Sequence, residues 1–333
     1  MSKLPLAVLV LLLPIMLRAQ VISGKVYRAG TDSVIPHASI YLGGTLSGTI
    51  SNKEGAFRFV VLEGKIPLVV SCVGYYSTVV NDYSPAQFLK VYLKPKINEL
   101  KGITINANQS KSREAMVRMF TREFIGTTRD AASCKILNID DIDLHYSKKT
   151  RTLTAFCDNP IEIENARLAY HISYYLDYFN MKDDVVSYNG NFVFKDKATD
   201  QNRKVVSVNR EKAYEGSRMQ FIRALWHNTL DDHYFSIYTE TGDLVSVDSI
   251  LFTGQKRQKF IALPYKINIL FDGDTHAPTG LFQSQPRCYI DQNGFCDDNL
   301  QWFGQMAIQR VGDMLPFEYR SVTDDPPQQK VSK

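Results

Sequence analysis

The sequence predicts a β-rich protein in two parts: a β-sandwich over residues 21–95, then an α+β domain with an antiparallel sheet and two main helices over 113–322. Three observations lead there. From Val21 to Pro95 short apolar runs alternate with Gly, Pro and Asn at spacings too small for helices, the pattern of a compact sandwich. Between Leu168 and Tyr178 apolar or aromatic residues take every second position, as in a strand with one buried face. Ser112–Phe124 and Asn209–Leu230 instead carry apolar residues at helical spacing.

Within the sandwich, Asn52-Lys-Glu-Gly55 reads as a tight hairpin that sets Phe57 and Phe59 on one face. Pro95, which has no N–H to give a central ladder, closes the segment. Gly24-Lys25-Val26, Pro36-x-Ala38-x-Ile40, Gly48, Asn52 to Phe59 and Ser71-x-x-Gly74-Tyr75 together resemble the carboxypeptidase regulatory-like (transthyretin-like) domain. That module occurs in exported proteins of Gram-negative bacteria and at the N-terminal ends of TonB-dependent outer-membrane receptors. The resemblance implies a transthyretin-like sandwich and an extracytoplasmic address, and it implies no activity. A receptor is not expected, because no plug or barrel follows the sandwich.

The ends read as address and tail. Lys3 precedes an apolar run, Leu4–Leu17, that contains Pro5 and Pro14 and exits into Ala19-Gln20. The run is too short to span a bilayer, so residues 1–20 are expected to be a cleaved signal peptide. Cys72 is the first cysteine, so no lipid anchor is expected. The polar, proline-bearing residues 323–333 are expected to be a disordered tail. The formal net charge of +4 falls to about +2 without Lys3 and Arg18, which leaves no nucleic-acid footprint. The basic cluster Lys256-Arg257-Gln-Lys259 reads as a solvated loop. Five cysteines are an odd number for an oxidising compartment, so at least one is unpaired. Cys72 is expected to be a small buried hydrophobe, and Cys288 and Cys296 flank a turn that could bring them near each other, with a bridge left open because the sequence does not fix their register.

A polar linker, 96–112, joins the two parts. In the first helix Met116, Met119, Phe120 and Phe124 share one face, with Gly126 as the stop. Strands follow at Leu153–Cys157, Ile161–Ile163 and Leu168–Tyr178, then a hairpin turning at Asn189-Gly190. The second helix holds Gly216 in its middle, where glycine costs roughly 1 kcal/mol against Ala and is explained by close packing on a strand. Ser217 beside it reads as a packed or capping hydroxyl. From Phe235 the chain is mostly strand again. Arg210-x-x-Ala213-Tyr214-x-Gly216-Ser217, Phe221–Leu225 and the ending Gly304 to Tyr319, with Arg310 and Asp313, look like the region that accompanies this module in a family of Gram-negative proteins. That resemblance supplies no catalytic residues.

Metallocarboxypeptidase chemistry needs His-x-x-Glu and a third, distant His, so that three ligands hold zinc and one position stays open for water. None of the six histidines has Glu three residues on. His-Glu-x-x-His, Gly-x-Ser-x-Gly and phosphate-loop patterns are absent too. The best metal constellation is His227, Asp231 and His233, where local spacing alone argues for exposed polar residues rather than ligands. Asp272-Gly273-Asp274 with His276 lacks the closing Glu of a calcium loop. Tyr170, Tyr174 and Tyr178 on one strand face form a possible binding surface for sugar or peptide, against the simpler reading of sheet packing. The expectation is therefore a non-catalytic exported interaction or accessory protein, without cofactor or metal. It binds a protein partner in the periplasm or at an outer-membrane assembly. The alternatives are a peptide- or glycan-directed hydrolase and a carbohydrate- or peptide-binding module.

Overall fold

A computed structural model of the chain describes residues 20–61, 66–84, 87–96, 111–183, 185–255 and 258–322. The expected signal segment up to Ala19, most of the linker, Lys256 and Arg257 of the basic cluster, and the expected tail 323–333 lie outside the described residues. The fold is strand-rich, with several antiparallel sheets and, among the described residues, four helices.

The first part is a two-sheet sandwich. One sheet holds β1 (Gln20–Arg28) between β4 (Ala56–Val61), antiparallel to it, and β7 (Phe88–Leu93), parallel to it. The other runs β3 (Gly48–Ile50), β2 (Ser39–Leu42), β5 (Leu68–Ser71) and β6 (Thr78–Val80). Ile22, Val26, Ile40, Leu42, Phe57 and Leu68 fill the space between them. The Asn52 turn forms because its Oδ1 accepts from the Glu54 and Ala56 amides at 3.1 and 2.8 Å. Phe57 is buried and Phe59 packs beside it. Cys72 falls just beyond β5 and is half-buried, packed against the sandwich core rather than enclosed in it.

The second core starts at α1 (Arg113–Ile125), capped by Ser112, whose hydroxyl accepts from the Ala115 amide, and ended at Gly126. Its Met116, Phe120 and Phe124 pack on a six-stranded sheet of order β8 (Cys134–Ile136), β11 (Ile161–Asn165), β12 (Tyr170–Lys182), β10 (Thr152–Phe156) and β9 (Asp143–Ser147). The sixth strand, β13 (Val185–Asp196), pairs with β12 along its length.

Two expectations fail in this pair of strands, for one reason. A bulge at Asp177 shifts the register between Leu176 and Tyr178, and a bulge reverses which face later side chains point to. Asn189-Gly190 does not turn; β13 runs straight through it. Gly190 lies opposite Leu176, where a β-carbon would stand 2.3 Å from the Tyr175 carbonyl oxygen and 2.6 Å from the Tyr174 ring. The glycine is there for close approach across the bulge.

The expected second helix is two helices. α2 (Arg203–Tyr214) stops before Gly216, whose φ of +67° is left-handed, and α3 (Arg218–His227) restarts from the Ser217 cap. Gly216 is thus at a break, not mid-helix, although it does pack on a strand residue: a β-carbon would meet Phe271 at 2.9 Å. The main helices therefore number three. α4 (Val247–Ile250) is a single turn.

α3 belongs to a third core with two small sheets. One runs β14 (Phe235–Thr239), β17 (Ile267–Phe271), β18 (Thr279–Gln283), β20 (Leu300–Gly304), and the other β15 (Leu251–Thr253), β16 (Lys259–Ile261), β19 (Cys288–Ile290). Residues 113–322 accordingly hold two hydrophobic cores. All five cysteines are free. Ile290 stands directly opposite Cys296, so Cys288 is two residues out of the register a bridge across that turn requires.

The sandwich is docked onto these cores by backbone pairing as well as by side chains. The Gly44 amide donates to the Phe192 carbonyl at 2.6 Å, the Phe194 amide to the Thr45 carbonyl and the Phe317 amide to the Gly44 carbonyl, both at 2.9 Å. The Glu318 carboxylate accepts from the Leu46 amide at 2.9 Å and the Ser47 hydroxyl at 2.7 Å. Tyr175, on the outer face of β12, stacks on Tyr41 at 5.2 Å and lies 3.2 Å from the Ser71 hydroxyl. Phe295 and Phe317 pack against the sandwich core.

Candidate functional site

The sequence-level candidates are not brought together. Tyr170 and Tyr174 are 2% and 3% exposed. Tyr174 packs edge-on to Phe124 at 4.9 Å and stacks on Phe192, while Tyr170 lies under the Arg210 guanidinium at 3.8 Å. Tyr178 is 49% exposed, because the Asp177 bulge turns it away from the other two. No three-tyrosine surface exists. At the end of α3, Asn228 adopts φ 56° and its amide closes on the Ala224 and Leu225 carbonyls. The helix ends there, so His227 and Asp231 do not share a helical face, and Asp231 and His233 sit on a separate single turn. Among the described residues no group of three His, Cys, Asp or Glu is placed to hold a metal. Asp274 accepts from the His276 amide in an exposed turn.

A concavity lies elsewhere among the described residues, where the three cores meet. A cavity of about 730 Å³ falls in the size range of small-ligand sites. The sandwich contributes Gly43, Pro67 and Asp82; β12 and β13 contribute Asp177 and Tyr188 to Phe192. The α2–α3 break supplies Ser217, Arg218 and Met219, the turn after β19 supplies Phe295 to Asp298, and the C-terminal stretch supplies Gln309, Arg310 and Asp313 to Leu315.

Each polar side chain is placed by an element already described. Ser217 spends its oxygen on the α3 cap, accepting from the Gln220 amide at 3.1 Å. Arg218 opens α3; its Nε donates to the Met306 carbonyl at 2.8 Å, and its guanidinium lies 5.4 Å from the Trp302 ring. Arg310 heads a short turn whose Asp313 carboxylate accepts from the Arg310 amide at 3.0 Å and from the Thr128 hydroxyl. Tyr188 comes from β13.

Burial dominates the electrostatics. It lowers the Arg218 pKa and raises that of Tyr188, against the pull of Arg310 and Arg218 on the phenol. It pushes the Cys296 thiol up to about 12 and raises the Asp313 carboxyl. These groups keep some accessible surface while being desolvated by protein on most sides, so what they expose faces the cavity. A low-dielectric wall of this kind strengthens any charge interaction made inside it. Burial keeps the Cys296 thiol protonated at neutral pH, and the Ser217 hydroxyl is used as a cap.

Tyr188, Arg218, Cys296 and Arg310 were not singled out as a site by sequence reasoning. The available signal was partial: Arg310 and Asp313 lie in the ending that carried the second resemblance, and Arg218 directly follows Gly216-Ser217.

The fold class of the N-terminal part is thus a two-sheet sandwich module set against a strand-rich region. Residues 22–105 match the family model of the CarboxypepD_reg-like domain, so the sandwich is that domain. No curated protein matches the chain.

Proposed function

We propose that this chain is a non-catalytic, exported binding protein that holds a ligand or a segment of a partner in the cleft between its CarboxypepD_reg-like domain and the following cores. The observation that carries this reading is the cavity itself: it is of ligand size, draws its wall from all three cores, and its Ser and Cys side chains are committed or protonated. Export is supported by the Lys3, Leu4–Leu17, Ala19 pattern, and it sets the expected partner in the periplasm or at an outer-membrane assembly.

The test is site-specific photo-crosslinking in intact cells. A photoreactive residue at Asp82 or Asp298, both exposed and on the cavity wall, should yield one discrete adduct. The same residue at Glu240, in an exposed turn that is not part of the cavity wall, should not. Equal labelling from all three positions, or an adduct that carries a cleaved fragment, would argue against a non-catalytic cleft.

A further inference from the structure

We infer that the cleft is built for a short peptide with a free C-terminal carboxylate, seated on Arg218 and Arg310 and with its positive end toward an acidic rim formed by Asp82, Asp177 and Asp298. This rests on the reading of the cleft as a binding site and specifies its ligand.

The inner end argues for the carboxylate. Two guanidinium groups face one cavity and repel each other through protein, and both act on the same Tyr188 phenol. Among the described residues neither has a carboxylate within ion-pair distance. Asp313 attracts Arg218 electrostatically without pairing with it, and its oxygens are engaged by the Thr128 hydroxyl and the Arg310 amide. Like charges held together away from water are costly unless an anion joins them. Guanidinium groups receive planar oxyanions such as carboxylate through paired N–H donors. The start of α3 lies on the same wall, and its N-terminal dipole favours negative charge there.

The outer end argues against a bare anion. Asp82, Asp177 and Asp298 line the same cavity and are exposed, so an approaching dianion meets three negative charges first. A ligand with an ammonium group at one end and a carboxylate at the other satisfies both ends. Between them Met219, Phe192, Phe295 and Met314 present an apolar wall, which suits small side chains and a peptide backbone.

The experiment is isothermal titration of the full chain at pH 7 and low salt with trialanine, its C-terminal amide, its N-acetyl form and inorganic phosphate. Trialanine should bind 1:1. The amide should bind at least tenfold more weakly, and the N-acetyl form severalfold more weakly. Arg310→Gln should abolish the preference for the free acid over the amide, and Asp298→Asn should reduce the preference for the free amine. Both variants are checked for an unchanged circular dichroism spectrum; Tyr188→Phe serves in place of Arg310→Gln if the latter unfolds, and should reduce the acid preference in the same direction. Equal affinity for acid and amide, phosphate binding as tightly as trialanine, or no saturable heat with trialanine would overturn the inference. Discrete crosslinking from the rim persisting beside any of these results would leave the binding role standing and remove only the peptide assignment.

Discussion

Asp291 should make the protein lose stability as pH rises from about 4 to about 6, and Asp291→Asn should remove that loss. The residue is 2% exposed, in the turn after β19. Its Oδ1 accepts from the Asn293 and Phe295 amides at 2.8 and 3.1 Å, and its Oδ2 has no partner among the described residues. Around it, Arg223 favours the charged form, whereas the nearby Tyr83 phenol is itself raised to about 12 by burial and by Asp291. Burial outweighs Arg223, the two amides and the Asn293 side chain, and raises the carboxyl from 3.8 to about 6.

The folded state therefore binds the proton more tightly than the unfolded chain. The stabilising contribution is complete below about pH 4 and is lost as pH climbs through about 6; the full span corresponds to about 3 kcal/mol. Asparagine keeps the Oδ1 acceptor but places an unpartnered N–H₂ at the Oδ2 position, which costs about 1 kcal/mol. At pH 8 the variant should thus be about 2 kcal/mol more stable than the parent. Between pH 4.5 and pH 8 the difference between them should move by about 2 kcal/mol. Urea unfolding midpoints measured across that range give both numbers. The reasoning fails if the variant is less stable at pH 8 or if the two pH profiles run parallel.

Other substitutions probe separate parts of the fold. Gly216→Ala should cost about 1–3 kcal/mol in urea unfolding, since it combines left-handed backbone with a 2.9 Å approach to Phe271. Glu318→Gln, which replaces the charged acceptor of the Leu46 amide and Ser47 hydroxyl, should weaken docking of the sandwich by about 1–2 kcal/mol and hasten proteolysis near residue 45. Cys296, whose thiol is pushed up to about 12, should resist iodoacetamide at pH 7.5 until the protein is unfolded in urea. Mass spectrometry of the protein from its native source should find Gln20 or Val21 at the N-terminus; retained Met1 would remove the support for export.

What sequence revealed and what it hid divide along the range of the interactions concerned. α1 was legible because Ser112, the Met116–Phe124 stripe and Gly126 lie within a few turns of one another. The Asn52 turn was legible because the side chain bonds amides two and four residues on, yet it carries the chain from one sheet to the other rather than closing a hairpin, since β3 pairs with β2 and β4 with β1. Asn189-Gly190 misled because its glycine answers a bulge in the partner strand rather than a local turn. The same bulge turned Tyr178 out of the row containing Tyr170 and Tyr174. Gly216 was read as helical because apolar spacing continues on both sides of it, yet its left-handed φ and the Ser217 cap start a new helix. The cleft was hidden for a stronger reason: Asp82, Tyr188, Arg218, Asp298 and Arg310 are far apart in sequence, and only the docking of three cores unites them.

Binding without turnover in that cleft is tested most directly by native mass spectrometry of the purified full chain incubated for hours with a pool of short peptides. Intact peptides should be retained 1:1, released with unchanged mass on denaturation, and lost from Arg310→Gln. Accumulation of cleaved products, or equal retention by Arg310→Gln, would contradict it.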